Sequence, residues 1–266
     1  MKFKMLSAAF LAGLVFTASA FAAPAGWTED FAAAQKQAAA ENKDLLLEFT
    51  GSDWCAPCIA LKREVFDQPA FGESVPKNFV LVKLDFPNRI PQSDELVAQN
   101  QRLQEKYAIQ GYPTVILADA AGKPYAQTGY QPGGAEAYVA HLEELRANKA
   151  VRDEALSAAE SAEGLDKARA LDVAVSAIGL ELAVNHYGDL IQQIVALDPE
   201  DAAGLKTKYE NLQSAGEIDQ QMQAAFGLLE QQKYDEGLAE LDRVISDYNL
   251  GGERKQVILT IKGQVY

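Results

Sequence analysis

Two cysteines three residues apart, Cys55 and Cys58, carry the chemistry that this sequence could perform. Thiolate is the form of cysteine that attacks a disulfide, and two thiols at this spacing can close a disulfide with each other. A predicted helix begins near Cys55, where unpaired backbone N–H groups and the helix dipole would stabilise its anion. Cysteines in such settings have pKa values of about 3.5 to 7.5, against about 8.5 for a free thiol. The pattern predicts an attacking thiol at Cys55 and a less exposed resolving thiol at Cys58.

A buried strand and a tight turn are predicted before the cysteine pair, and a helix after it. Asp44 to Thr50 is the apolar strand, Gly51 to Trp54 is the turn, and Pro57 suits the first turn of a helix. Strands joined through a helix should be parallel and those joined by a tight turn antiparallel, which predicts a small mixed α/β sheet covered by helices. The other predicted elements of this half are helices over 28–42 (capped by Thr28), 94–107 and 135–146, and strands over 79–86, 113–118 and 125–129.

Glu48 interrupts the apolar strand that precedes the cysteines. A carboxylate is costly in such a strand unless it is paired or functional. The alternative is a glutamate near the strand end that reaches solvent.

A metal site is the first competing interpretation of the cysteine pair. Structural zinc needs four ligands, and only His141 and His186 could add to the two thiols. Copper delivery favours methionines, and Met222 is the only one outside the N-terminal segment. The sequence also lacks calcium, nucleotide and haem motifs. We therefore predict neither a metal nor a cofactor.

The first 22 residues are typical of a secretory signal peptide. Lys2 and Lys4 precede an apolar run, and small residues place cleavage near Ala20 or Ala22. The run is shorter than the roughly 20 residues that span a bilayer, although an uncleaved anchor is the alternative. The pattern predicts an exported, periplasmic protein that contacts the membrane only through this segment.

Charge and cysteine content narrow the class of protein further. Removing residues 1–22 takes away two lysines and no acid, so the net charge changes from −14 to −16. Such a chain repels phosphate backbones, and nucleic acid is not an expected partner. Exported compartments favour disulfides, yet two cysteines provide no disulfide scaffold, so the pair is either a redox centre or half of a metal site.

The pattern changes after residue 150, where strand signals end and apolar residues recur at helical spacing. We predict a signal peptide over 1–22, a redox domain over 23–150 and an all-α domain over 151–266. Segments 187–199 and 234–249 resemble the second helix of a tetratricopeptide repeat, but the period is not sustained, and a plain helical bundle is the alternative. This domain would be either a docking or dimerisation surface or a passive helical extension.

Several motifs in order make the chain resemble the thioredoxin superfamily over roughly residues 28–147. It is similar in particular to the periplasmic C-terminal domains of membrane thiol–disulfide interchange proteins and to related secreted thioredoxin-like proteins. The motifs are Gly51-Ser52-Asp53-Trp54-Cys55-Ala56-Pro57-Cys58, the 62–71 stretch, Val82-Lys83-Leu84-Asp85 and Gly111-Tyr112-Pro113-Thr114.

The resemblance implies a substrate groove beside the cysteines. Pro113 would be a cis-proline facing the pair, and Trp54, Tyr112 and Gly129 would line the groove. An extended peptide could pair with the backbone of Tyr112 as an added strand. The alternative for Tyr112 is an ordinary half-buried strand aromatic.

The resemblance also implies a proton-transfer group below the cysteines. Thioredoxins place an aspartate there, with a lysine on the neighbouring strand. Lys83 matches the lysine, while Glu48 matches the acid only if the turn holds one extra residue. We predict that Glu48 and Lys83 form a buried pair that tunes Cys58.

The resemblance identifies the chain as a thiol–disulfide oxidoreductase that reduces or isomerises protein disulfides. Its expected partners are disulfide-containing exported proteins and a membrane thiol electron donor. The Ala56-Pro57 dipeptide lacks the histidine of strongly oxidising relatives, which favours the reducing direction. The alternative is an adaptor in which the helical domain is the functional surface and the redox fold is mainly a scaffold.

Overall fold

The computed structural model of the protein describes residues 26–248 and 250–265. The predicted signal peptide lies outside the described residues. The strands are β1 (Trp27–Thr28), β2 (Asp44–Thr50), β3 (Phe79–Asp85), β4 (Thr114–Ala118) and β5 (Pro124–Thr128). The helices are α1 (Phe31–Glu41), α2 (Ala56–Leu61), α3 (Pro69–Ser74), α4 (Asp94–Lys106), α5 (Gly134–Ser161), α6 (Gly164–Ala177), α7 (Leu180–His186), α8 (Gly188–Leu197), α9 (Leu205–Glu230), α10 (Tyr234–Asp247) and α11 (Gly252–Val265). A π-helical turn, Lys62–Phe66, extends α2, and a short 3-10 turn, Val75–Lys77, follows α3.

The five strands form one mixed sheet in the order β1-β3-β2-β4-β5. Strand β3 runs parallel to both β1 and β2, whereas β4 runs antiparallel to β2 and β5. The pairing of β2 with β3 sets Glu48 directly opposite Lys83. A mixed sheet with flanking helices, followed by a helical C-terminal region, confirms the predicted fold class.

Successive side chains of β2 enter two different cores because strand side chains alternate between the faces of a sheet. Leu45, Leu47 and Phe49 pack with residues of α1 and α4. Leu46 packs on the opposite face with residues of α2, α3 and α5. Glu48 has the same parity as Leu46, so its carboxylate lies on the face that α2 covers.

Two details at the N-terminal edge differ from the sequence-based prediction. Thr28 does not cap α1, because it lies in β1 and pairs with Val82. The cap is Asp30, whose carboxylate accepts a hydrogen bond from the backbone N–H of Ala33 at 2.9 Å. Pairing with β3 and the cap therefore move the start of α1 to Phe31.

Helix α5 is longer than the helix predicted over 135–146 and passes through the predicted domain boundary. Its Arg152 is buried and donates a hydrogen bond to the Tyr187 hydroxyl at 2.9 Å. Tyr187 in turn donates to the carbonyl oxygen of Pro124 in β5 at 2.7 Å. The sheet and the helical region share one hydrophobic cluster, and a domain division after residue 150 stays a prediction.

The C-terminal helices bury one another in two groups. Helices α6 to α8 pack with the first half of α9, and α10 and α11 pack with its second half. A Cβ atom at Gly237 would lie 2.7 Å from Leu229, so helices approach closely there, whereas one at Gly188 would meet nothing within 4 Å. A close approach of helices at a glycine is thus found in segment 234–249 but not at Gly188 of segment 187–199. A helical repeat therefore stays a prediction. Along the described chain, none of the helices combines the length and apolar character needed to cross a bilayer.

Candidate active site

The two cysteines form a disulfide at the N-terminus of α2. The S–S distance is 2.04 Å and the Cα atoms lie 5.2 Å apart. Cys55 is the N-cap residue of α2, and its sulfur accepts a hydrogen bond from the backbone N–H of Cys58 at 3.3 Å. Cys55 is 5% exposed and Cys58 1% exposed. The structure therefore holds the oxidised pair, with Cys55 at the helix end that favours an anion.

The turn before the cysteines is packed against the side chain of Trp54. A Cβ atom at Gly51 would lie 2.5 Å from the indole ring, so only glycine fits there. The indole N–H donates to the carbonyl oxygen of Phe86 at 2.8 Å, which leaves the ring 45% exposed beside the disulfide. Trp54 is thus held in place while its ring stays open to a partner.

Asp53 ties the same turn to the loop that follows β3. Its carboxylate accepts hydrogen bonds from the backbone N–H groups of Asn88 and Arg89 at 2.8 and 2.7 Å. These bonds hold the pKa of Asp53 below its ordinary value, and the bond from Asn88 has the largest effect. Sequence reasoning assigned Asp53 no role, although it lies within the cysteine motif.

The predicted groove residues come together beside Trp54. The Tyr112-Pro113 peptide bond is cis. The Tyr112 ring packs edge-on against Trp54 with centroids 5.8 Å apart, and its hydroxyl accepts a hydrogen bond from Gln104 at 2.8 Å. Gly129 follows β5, and a Cβ atom there would lie 2.9 Å from the carbonyl oxygen of Pro113. Gln104 is a support for Tyr112 that the sequence did not reveal.

Glu48 and Cys58 line one cavity of about 90 Å³ on the covered face of the sheet. A water needs roughly 10–15 Å³ of such volume, so the cavity has room for several. Glu48 is only 5% exposed, and burial raises its pKa from 4.5 to about 7, although the Thr50 hydroxyl and the Lys83 charge act in the opposite direction. A carboxyl group that titrates near neutral pH can take a proton from a thiol and return it.

Lys83 does not pair with Glu48, which corrects the predicted salt bridge. Its ammonium lies 2.7 Å from Oδ2 of Asp85 instead. The Asp85 carboxylate also accepts the backbone N–H of Ser52 at 3.0 Å and the Ser52 hydroxyl at 2.6 Å. No ion pair between Glu48 and Lys83 is formed in the part of the chain that the structure describes. The Lys83 ammonium binds Asp85 rather than Glu48 because two donors of Ser52 already hold the Asp85 carboxylate in place.

Comparisons with known proteins identify the family. Residues 31–146 match the family of thioredoxin-like domains. The chain is 34% identical over 114 residues to the disulfide bond reductase DsbH of Chlamydia pneumoniae, covering 43% of this chain and 69% of that protein. The chain belongs to the thioredoxin superfamily.

Other similarities are shorter or more distant. The chain is 33% identical over 91 residues to the thioredoxin-related protein DsbJ of Chlamydia pneumoniae, covering 34% of this chain and 26% of that protein. The solved structure of a DsbH oxidoreductase covers 50% of this chain and 92% of its own, with 32% identity and a TM-score of 0.44. The oxidised C-terminal domain of DsbD from Neisseria meningitidis covers 42% and 90%, with 20% identity and a TM-score of 0.31.

This thioredoxin-superfamily chain is thus a homologue of disulfide oxidoreductases, with a C-x-x-C disulfide at the helix end. The roles of its individual residues remain predictions. Within the described ranges, no cluster of histidine, cysteine, aspartate or glutamate is arranged to hold a metal ion. His141 contacts Thr128 at 2.9 Å, and His186 ends α7, so neither histidine lies among the residues that line the Cys58 cavity.

Asp85 is, after Asp53, a second charged residue of the site to which the sequence alone assigns no role. Asp85 is the last residue of the Val82-Lys83-Leu84-Asp85 motif, but the resemblance implies no function for it. The available signal was its position, two residues after Lys83 near the end of an apolar strand, which sets both side chains on one face.

Proposed function

We propose that this protein is a periplasmic thiol–disulfide oxidoreductase that reduces or isomerises disulfides of exported proteins through Cys55 and Cys58. The observation that carries the proposal is the shared cavity of Cys58 and Glu48 behind a disulfide that caps a helix. An attacking sulfur at the helix end, a more deeply buried resolving sulfur and a proton acceptor are the three groups that this exchange uses.

The exchange begins with the reduced pair. The Cys55 thiolate attacks one sulfur of the substrate disulfide, whose S–S bond breaks, and the other substrate sulfur leaves as a thiolate. Glu48 then accepts the proton of the Cys58 thiol, through water in the cavity. The Cys58 thiolate attacks the Cys55 sulfur, and the second substrate sulfur leaves. Two electrons have passed to the substrate, and the Cys55–Cys58 disulfide seen here is the product.

The groove beside the disulfide would hold the substrate backbone. Trp54 and Tyr112 supply an aromatic wall, and an extended peptide could pair with the backbone next to Pro113. Gly129 lacks a side chain and so keeps the Pro113 carbonyl in its place. We assign substrate binding to Trp54, Tyr112 and Gly129 and positioning of the groove to Pro113.

Two observations support the reducing direction. The Ala56-Pro57 dipeptide supplies no cation to stabilise a thiolate, and the relative with 34% identity is a disulfide bond reductase. A membrane thiol carrier would return electrons to the pair after each turnover. The export of the chain rests on the signal-type pattern of residues 1–22.

The reduction potential of the cysteine pair tests the direction. It is measured by equilibrating the protein with thiol buffers of known potential and quantifying the reduced fraction. We expect a value clearly more negative than the roughly −120 mV of a strong periplasmic oxidant. A value near that figure would show that the pair oxidises its substrates and would overturn the proposal.

A further inference from the structure

Three charged groups lie on one face of the sheet below the disulfide: the buried Glu48 and Asp85 and the half-buried Lys83. Glu48 faces Lys83 across the parallel pairing of β2 and β3. Asp85 lies two residues beyond Lys83, so both side chains project to the same side. One ammonium therefore lies within reach of two carboxylates, and in this structure it binds Asp85.

Asp85 is held more firmly than an ion pair alone would require. It is buried, and its carboxylate accepts both the N–H and the hydroxyl of Ser52 as well as the Lys83 ammonium. Its backbone oxygen accepts a hydrogen bond from the buried Asn100 amide at 2.9 Å. Three donors hold this buried carboxylate in place, with the Lys83 ammonium as one of them.

We propose that Asp85 is a positioning residue for disulfide exchange: it binds the Lys83 ammonium and so keeps it from pairing with Glu48, which can then exchange a proton with Cys58. The inference rests on the proposed function, in which Glu48 serves the resolving thiol. Asp85 touches neither the substrate nor the sulfurs, and it acts through Lys83 and the Ser52 turn.

Other charged and titratable groups also lie near Glu48. Lys62 and Asp67 line the same cavity but bind each other at 2.5 Å. Tyr138 of α5 and Cys58 of α2 are the remaining titratable groups nearby. The Lys83 charge lowers the pKa of Glu48 and the Asp85 charge raises it, so the two effects oppose each other while both residues are present.

A double-mutant cycle in the full-length protein tests the proposal. The variants are Asp85→Asn, Lys83→Met and the double variant. Asparagine keeps the size of the side chain and can still accept a hydrogen bond from Ser52. Nuclear magnetic resonance of the Glu48 carboxyl carbon follows its titration, and the pH dependence of disulfide reduction follows its use.

We expect Asp85→Asn to lower the Glu48 titration midpoint by about one pH unit or more, because Lys83 turns to the remaining carboxylate. The acidic limb of the pH–rate profile should move by the same amount. Lys83→Met should raise the midpoint, and the double variant should return it close to the wild-type value. Ser52→Ala removes one of the two Ser52 donors but keeps the Asp85 carboxylate, so it should lower the midpoint by less than Asp85→Asn does.

An equal midpoint in wild type and Asp85→Asn would overturn the proposal. A uniform loss of rate with an unmoved acidic limb would also overturn it, since that result means that Asp85 only supports the turn. If Asp85→Asn fails to fold, an unmoved midpoint in Lys83→Met overturns it instead. If the midpoints move as expected but the wild type reduces no disulfide, the charge arrangement stands and the proposed function fails.

Discussion

Gly129 lies against the carbonyl oxygen of Pro113, so closely that a Cβ atom at position 129 would be 2.9 Å from it. Gly129→Ala should lower the free energy of unfolding by about 1–3 kcal/mol, because backbone must move to admit the methyl group. It should also slow the reduction of peptide disulfides more than that of a small aromatic disulfide, since the groove moves. Urea denaturation and the two rates measure these effects. Gly111→Ala is the matched stability control because its Cβ atom would meet nothing within 4 Å.

The order of attack follows from the position of each sulfur in α2. Cys58→Ser should trap mixed disulfides between Cys55 and target proteins, because no thiol remains to release them. Cys55→Ser should abolish both turnover and trapping, since the thiol at the helix end is lost. Non-reducing electrophoresis after alkylation reads both results. Residual reduction of a model disulfide by Cys55→Ser would contradict the assignment.

The raised pKa of Glu48 predicts a stability that declines with pH. The folded state binds a proton at Glu48 up to about pH 7, whereas the unfolded state releases it near 4.5. The free energy of unfolding should therefore fall by about 3 kcal/mol between pH 4.5 and 7 from this group alone. Glu48→Gln removes that dependence and should also slow exchange at neutral pH, because Cys58 loses its proton acceptor.

Chemical denaturation of Glu48→Gln and wild type across this pH range measures the difference. The free energy of unfolding of Glu48→Gln minus that of wild type should increase as pH rises and become constant above about pH 7. Glu105→Gln controls for the loss of one exposed carboxylate. A gap that does not change with pH would show that the folded protein does not hold a proton at Glu48.

Tyr187 joins the helical region to the sheet through two buried hydrogen bonds. Tyr187→Phe removes the acceptor of Arg152 and the donor to Pro124. The free energy of unfolding should fall by about 1–3 kcal/mol, because buried polar groups lose their partners. Tyr234→Phe, at a ring that is 49% exposed, is the control and should change it little. Equal free energies of unfolding for the two variants would show that the hydrogen bonds of Tyr187 add nothing to stability.

The cysteine site could be predicted from sequence because it is local. Cys55, Cys58 and Pro57 lie within one helical turn, so their spacing along the chain already sets their distance in space. The apolar runs of β2 and β3 were equally visible, since a buried strand needs such a run wherever it lies. These elements depend on short-range geometry and on burial.

Other features needed the folded chain. Strand β1 has only two residues, and it exists because β3 offers a free edge. The part of α5 beyond residue 146 carries Arg152, which binds Tyr187, 35 positions further along the chain. No local pattern contains such contacts.

The sequence by itself determined the redox pair, its helix and the family, since each depends on residues close together along the chain. Only the tertiary structure decided which carboxylate takes the Lys83 ammonium. Glu48 and Asp85 are both within reach, and Asp85 prevails because the Ser52 turn, 33 residues earlier, supplies two further donors. A competition between two buried carboxylates for one ammonium is settled by donors that only folding brings together.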